Sequence, residues 1–305
     1  MESRPHITIA ICTFNRADYL RDTLKDIAAQ TANPRFFELL VINNNSDDHT
    51  ESVCDRFSQT NPAIRFRVVD EKDQGLSFAR NRAAKEAFSE TLFFIDDDVN
   101  LPANYVEKAV QYAKKRPNTL CAGGRIRVSF DEEKEEPNWI PKELMPMFGQ
   151  HDLGNEDKMY PPSNFPRGGN MMIRKSVFNA FGVFDTSLGR SGDILLGSEE
   201  KAFFERIRKN GIQLRYWAGL ELTHRIGSHR LKTDYLKKQS IGIGRSERLR
   251  VRGSVKGYIK KVASEEGKMA VSILLAIAYL IRLRPRAALF ILRFRIWVMK
   301  GFLQG

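Results

Sequence analysis

The sequence predicts an α/β protein with a mostly parallel central sheet flanked by helices, extended at its C-terminal end by a basic helical segment. Three observations lead there. Short apolar runs alternate with polar, helix-compatible stretches through the first hundred residues, acids and amides cluster directly after those runs, and the charge changes sign near Arg225. The chain has 305 residues, 42% of them hydrophobic and 28% charged. Those proportions suit a globular protein and exclude a disordered, collagenous or disulfide-rich one.

The apolar runs are Ile7 to Cys12, Phe37 to Ile42, Ile64 to Val69 and Thr91 to Ile95. Each has the length of a buried strand and is enriched in β-branched or aromatic residues. Between them, Asp18 to Gln30 carries Tyr19, Leu20, Leu24 and Ile27 at helical spacing, and Gly75 to Phe88 is rich in Ala and charge. Such alternation means βαβ crossovers and a parallel sheet, in which ligands sit at the carboxyl ends of the strands.

Residues 131–166 break the rhythm. They open with the charge run DEEKEE and contain Pro137, Pro141, Pro146, Pro161, Pro162 and Pro166. Little room is left for long regular elements, so an irregular insertion over the active face is expected. Order returns with a strand over Asn170 to Ile173 and a helix from Ser198 to Asn210 closed by Gly211. One α/β domain is thus expected over 1–224, followed by a tail over 225–305.

The chemistry lies at the strand ends. After the fourth run comes FFIDDDVNLP, with Asp96, Asp97 and Asp98 directly on the apolar strand. Three adjacent carboxylates repel one another, and a hard divalent cation relieves the repulsion. Alternate residues of an extended chain share a side, so Asp96 and Asp98 converge while Asp97 faces elsewhere. A solvated acidic turn is the plainer alternative, and the position after a buried strand argues against it. The second run ends in VINNNSDDHT, where Asn43, Asn44, Asn45, Ser46 and Asp47 offer groups that form Asx-turns, cap a helix or bond a planar heterocycle.

With these landmarks in place, ITIAICTFNRADYLRDTL, LLVINNNSDDHT, GLSFARNRAAKEA, FFIDDDV, RGGNMMIRKSVFNAFGVFD and SEEKAFFERIRKNG with LTH resemble, in order, the family 2 glycosyltransferases. The resemblance covers about Ile7 to His224. It implies a Rossmann-like GT-A fold and inverting, hexosyltransferase-type transfer of a sugar from a nucleoside-diphosphate donor to a hydroxyl acceptor, usually with Mg²⁺ or Mn²⁺. Carried over by position, Thr13, Phe14 and Asn15 cradle the nucleotide, Asn44 takes the base-contacting place where many members have Asp, and Arg80 balances diphosphate charge. Asp96 meets the ribose or the metal, Asp97 joins the nucleotide set, and Asp98 is the main metal ligand with His224 beside it. Gly168, Gly169 and Asn170 fall beside the donor sugar and acceptor. Glu199 and Glu200 match the catalytic acidic pair, with Glu200 as the base, although members more often have Asp there. Helix-capping acids are the plainer reading of that pair.

The tail is separate in character. From Arg225 to Gly305 there are nineteen Lys and Arg against four Asp and Glu. Met269 to Ile281 is free of charge but shorter than the roughly 20 residues of a membrane span. The following stretch mixes Arg293, Arg295 and Lys300 with Phe290, Phe294 and Trp297. An anionic membrane surface is the expected partner, with a helical subdomain packed on the body as the alternative. The N-terminus reaches polar residues at Thr13 without an apolar signal core, and Cys12, Cys54 and Cys121 lack metal-ligand spacing. A cytoplasmic protein peripheral to the cytoplasmic face of the membrane is expected, acting in polysaccharide or glycolipid assembly on an acceptor such as a lipid-linked glycan. A nucleotidyltransferase shares the metal-diphosphate logic. A nucleic-acid-binding protein accounts for the tail alone and leaves the strand-end acids without a purpose, so no nucleic-acid partner is expected.

Overall fold

The computed structural model describes residues 4–131, 136–189 and 197–304, and most of the acidic run, 132–135, lies outside them. Among the described residues one sheet contains β1 Ile7–Thr13, β2 Phe37–Asn43, β3 Arg65–Asp70, β4 Thr91–Asp96, β5 Val99–Asn100, β6 Cys121–Phe130, β7 Lys158–Met159, β8 Asn170–Arg174 and β9 Leu214–Ile226. Their order is β3-β2-β1-β4-β8-β6-β9-β5, with β7 paired to β9 off that path. The four predicted runs form the parallel part, β3-β2-β1-β4. Antiparallel pairing begins where β8 joins β4 and β6 joins β8.

The helices are α1 Ala17–Ala28, α2 Thr50–Thr60, α3 Leu76–Glu86, α4 Tyr105–Lys115, α5 Lys175–Phe181, α6 Glu199–Lys209, α7 Thr233–Arg250, α8 Val255–Ile281 and α9 Pro285–Gln304. They explain why the strands read as continuous apolar runs. Ile7, Ile9 and Ile11 of β1 pack with Leu39, Val41 and Phe93 against Leu20 and Leu24 of α1 and Val106 of α4. Ala10, Leu40, Ile42 and Phe94 point to the other face and meet Ala79 and Ala83 of α3 and Phe203 and Phe204 of α6. A strand covered on both faces has no polar side to show.

β6 and β9 escape the sequence reading. In β6 the apolar pattern is interrupted by Gly123 and Gly124, and a Cβ at Gly124 would overlap the Leu220 carbonyl of β9 and the Asn170 amide of β8. Close backbone approach, rather than a turn, places glycine there.

Two compact units emerge. The first draws on Met1–Val128, Gly149–Thr186 and Glu200–Arg225, the second on Ser129–Phe148, Ser187–Glu199 and Ile226–Gly305. Within the second unit, α7 and α9 cross where Gly244 faces the backbone of Val298 and Phe302, and Gly301 faces that of Ile241. No described helix is long and apolar enough to cross a membrane.

In the first unit His151 is buried, stacked on Tyr160 and in a 2.8 Å hydrogen bond with its hydroxyl. Burial, aided by Arg167, pushes this imidazole down to about 3. The unfolded chain, with a value of about 6.5, therefore binds the proton more readily, and stability falls as the pH drops from about 6.5 toward 3. The fall in melting temperature between these limits should be smaller in His151→Gln than in the parent protein; equal slopes in a pH series of thermal unfolding would overturn this account.

Candidate active site

Charge concentrates where β1, β2 and β4 end. Asp96 closes β4, and alternation along the extended chain turns Asp96 and Asp98 together and Asp97 away. Asp97 Oδ1 pairs with Arg16 at 2.7 Å, and Asp97 Oδ2 accepts a 2.7 Å hydrogen bond from the Thr13 hydroxyl. Asp98 Oδ2 meets Arg16 Nη2 at 2.5 Å and His224 Nε2 at 3.1 Å. Register sets the histidine in place: β5 follows the acidic triplet immediately and pairs Val99 with His224 of β9. Gly149, with φ +98°, lies against the same imidazole, where a Cβ would come within 2.7 Å of Nδ1.

Asp97 and Asp98 are buried. Burial pushes the Asp97 carboxyl above its usual range while Arg16 pulls it back. Burial likewise opposes the charge on Arg16, but Asp97 and Asp98 outweigh it and hold the guanidinium firmly protonated. One carboxylate oxygen each from Asp96 and Asp98 and one ring nitrogen from His224 lie within 4.8 Å of one another. Two carboxylates and an imidazole make a donor set that suits Mn²⁺, and the oxygens alone suit Mg²⁺, so the residues present fit a divalent cation.

A second acidic group stands beside this cluster. Glu200 lies in the first turn of α6, whose Phe203 packs on Phe184 with ring centroids 4.5 Å apart. Its Oε1 accepts the Gly168 N–H at 2.9 Å and meets Arg80 Nη1 at 3.1 Å. Arg80 is buried, and its Nη2 lies 4.0 Å from Asp96. One guanidinium thus stands between Glu200 and Asp96. Glycine is required alongside: a Cβ at Gly168 would overlap both Arg80 and Glu200, and one at Gly169 would sit 2.6 Å from Asp96 Oδ2.

The amides have structural duties. Asn44 donates to the carbonyls of Glu71 and Asp73 at 3.1 and 2.7 Å and accepts the Gly75 N–H at 2.8 Å. It fixes the loop that starts α3 and through it the position of Arg80. Asn15, at φ 51°, donates its backbone N–H to Ser46 and accepts the Asp47 N–H on Oδ1, tying the β1 loop to the β2 loop. Phe14 beside it is half-buried. Asn170 corrects the sequence expectation. It does not line the site: it is fully buried, accepts from Tyr105 at 2.8 Å and donates to the carbonyls of Arg125 and Leu220, both at 2.9 Å. Glu199 is buried as well.

The Glycosyl transferase family 2 profile matches residues 8–182, more than half of the chain. The chain belongs to that family. As a glycosyltransferase it has relatives of several kinds. It is 24% identical to the glucosyl-dolichyl phosphate glucuronosyltransferase of Haloferax volcanii over 246 residues, 80% of this chain and 76% of that protein. A shorter stretch of 111 residues, 36% of this chain and 35% of the other, is 27% identical to the GalNAc(5)-diNAcBac-PP-undecaprenol beta-1,3-glucosyltransferase of Campylobacter jejuni. Among solved structures, the mannosyltransferase PcManGT of Pyrobaculum calidifontis, in complex with GDP-Man and Mn²⁺, shares the fold with a TM-score of 0.66 at 15% identity, covering 99% of this chain and 88% of that one. The fold is GT-A-like, and these matches do not favour the nucleotidyltransferase or nucleic-acid readings.

Sequence reasoning passed over Arg16 of this glycosyltransferase. The signal was available, since three adjacent acids after a buried strand need cations within reach, but no spacing rule links residue 16 to 97 and 98. Glycine substitutions separate local crowding from site chemistry. The Cβ of Gly168→Ala meets side-chain tips, which shift, whereas that of Gly124→Ala meets a backbone carbonyl, which does not. Gly124→Ala should therefore lose more stability, about 1–3 kcal/mol, while Gly168→Ala loses proportionally more turnover. Parallel thermal unfolding and transfer assays check this, and wild-type turnover in Gly168→Ala would contradict it.

Proposed function

We propose that this family 2 glycosyltransferase is an inverting, divalent-metal-dependent enzyme that moves a sugar from a nucleoside-diphosphate donor to a hydroxyl of a lipid-linked acceptor in glycolipid or polysaccharide assembly. The observation that carries the reading is the convergence on Arg80 of the Asp96, Asp98 and His224 cluster on one side and Glu200 on the other. An inverting displacement needs those two functions in neighbouring places, one at the leaving diphosphate and one at the attacking hydroxyl. The GDP-Man and Mn²⁺ bound by the Pyrobaculum enzyme support the donor class and the cation, and the dolichyl and undecaprenol carriers in the relatives' names support a lipid-linked acceptor.

A cation held by Asp98, Asp96 and His224 would offset the charge that develops on the diphosphate as the glycosidic bond breaks. The chain's own residues do the rest. Thr13, Phe14 and Asn15 form the nucleotide side of the site with Asp97, and Asn44 acts there by fixing the loop over 71–75. Arg80 sits where it contacts both the donor side and Glu200. The acceptor hydroxyl attacks the anomeric carbon from the face opposite the diphosphate, and Glu200 receives its proton as the new bond forms. Glu199, one residue earlier and buried, supports the turn that presents it. Residues 1–224, apart from the stretches 129–148 and 187–199 that fall in the second unit, make up the catalytic domain in this reading, and 225–305 attach it peripherally to the cytoplasmic face of a membrane, where a lipid-linked acceptor is met.

Two outcomes test the chemistry. Glu200→Gln should lower turnover about a hundred-fold or more while leaving donor affinity nearly unchanged, with a smaller effect from Glu199→Gln. Should Glu199→Gln be the inactive variant and Glu200→Gln the active one, the base is one residue earlier; wild-type turnover in both removes the mechanism. For the cation, Mn²⁺ and a nucleoside diphosphate together should raise the melting temperature of the parent protein, since a ligand that binds only the folded state stabilises it by mass action. Asp98→Asn should lose that rise, and an undiminished rise would refute the metal assignment.

A further inference from the structure

Exposed apolar side chains in this protein are not scattered. Of the seventeen large hydrophobic residues exposed among those described, twelve fall between Val255 and Leu303, on α8, α9 and the turn joining them. On the C-terminal half of α8 they are Val271, Ile273, Leu274, Ile277, Leu280 and Ile281, within the thirteen-residue stretch Met269 to Ile281 that carries no charge. The turn adds Leu283, 88% exposed and at φ 56°, a left-handed position that helix ends ordinarily fill with glycine or asparagine.

Helix α9 carries the complementary pattern. Leu289, Ile296 and Leu303 are exposed at intervals of seven, and so are Arg286, Arg293 and Lys300. Seven residues make two turns with a drift of only about 20°, so each set forms a stripe along the helix, the basic one beside the apolar one. The opposite side of α9 is occupied, with Phe290, Phe294, Val298 and Phe302 buried and Gly301 against α7. The inward charges are matched too, for Glu265 of α8 lies within 4 Å of Lys261, Lys268 and Arg295. Among the described residues, what faces outward here is mostly apolar surface flanked by cations, with Glu266 of α8 an exposed acid.

We propose that this face of the α8–α9 hairpin lies in the interface of an anionic lipid bilayer, with the charge-free half of α8 and Leu283 among the acyl chains and Arg282, Arg286, Arg293 and Lys300 at the headgroups. This deepens the peripheral attachment proposed above by naming the surface that makes it. The stretch from Met269 to Ile281 would extend about 20 Å as a helix, short of the roughly 30 Å hydrocarbon core, so it lies in the interface and does not span. A second copy of the chain is the weaker occupant, because pairing this face with itself brings like stripes of cations together. Anionic headgroups neutralise them.

The test is flotation with vesicles of phosphatidylglycerol and phosphatidylcholine in equal parts, against phosphatidylcholine alone. The parent protein should float with the anionic vesicles. A triple variant, Leu274→Ser, Ile277→Ser and Ile281→Ser, changes only exposed positions and should bind them about tenfold or more weakly at any salt concentration. Arg286→Glu, Arg293→Glu and Lys300→Glu together should abolish the preference for anionic vesicles. The binding of Mn²⁺ and nucleoside diphosphate, followed by thermal shift, should be unchanged in both variants, so a failed donor reading and a failed surface are told apart. Flotation of the serine variant equal to the parent's overturns the proposal. So does a parent dimer that the serine substitutions dissociate without changing flotation, which would assign the face to a second copy.

Discussion

Three consecutive carboxylates at the end of a buried strand are held in place by donors brought from elsewhere in the chain, two guanidiniums, an imidazole and the Thr13 hydroxyl, and most of what frames the site follows from that requirement. Arg16, at the entrance to α1, takes Asp97 and one oxygen of Asp98. Arg80, on α3, approaches Asp96 and pairs with Glu200. His224 reaches Asp98 from the antiparallel side of the sheet. Removing one member of a buried charge pair typically costs about 3–5 kcal/mol, because the partner is left uncompensated. The helix starts and strand registers that deliver these groups are therefore constrained together, although they lie far apart in sequence.

What could be read from the sequence is local. Each of the four runs is a strand in the structure, and those of β1, β2 and β4 are near-continuous because helices cover both faces, whereas β3, at the sheet edge, is part-exposed and carries Arg65 and Arg67. Convergence of Asp96 and Asp98, with Asp97 turned aside, follows from the two-residue period of an extended chain and needs no tertiary information. Glu200 was legible as an acid at the start of an amphipathic helix. The long antiparallel strands were not, because the glycines of β6 answer to backbones far away in the chain. Asn170 is placed beside the donor by family resemblance alone, and only the packing of β6, β8 and β9 reveals that its side-chain partners are the main chain and Tyr105.

The charge asymmetry of the sequence has a similar two-level explanation. The nineteen basic residues from Arg225 onward would make a weakly patterned, solvated surface if the four acids were scattered among them, yet Glu247 and Glu265 are turned inward to Arg250, Lys261, Lys268 and Arg295. Internal neutralisation holds the helices of the second unit together. It also draws these two of the four acids away from the outward cations, leaving only Asp234 and Glu266 exposed, so packing inside the unit sharpens the charge outside it.

Gly168 and Gly169 have a practical bearing on redesign. Their missing side chains make room for the protein's own Arg80, Glu200 and Asp96. A library that randomises these two positions to alter sugar choice would sample mostly broken ion pairs and very little new specificity. Variation has to enter from neighbours whose side chains already point into open space, with the two glycines left as the fixed floor on which such changes are made.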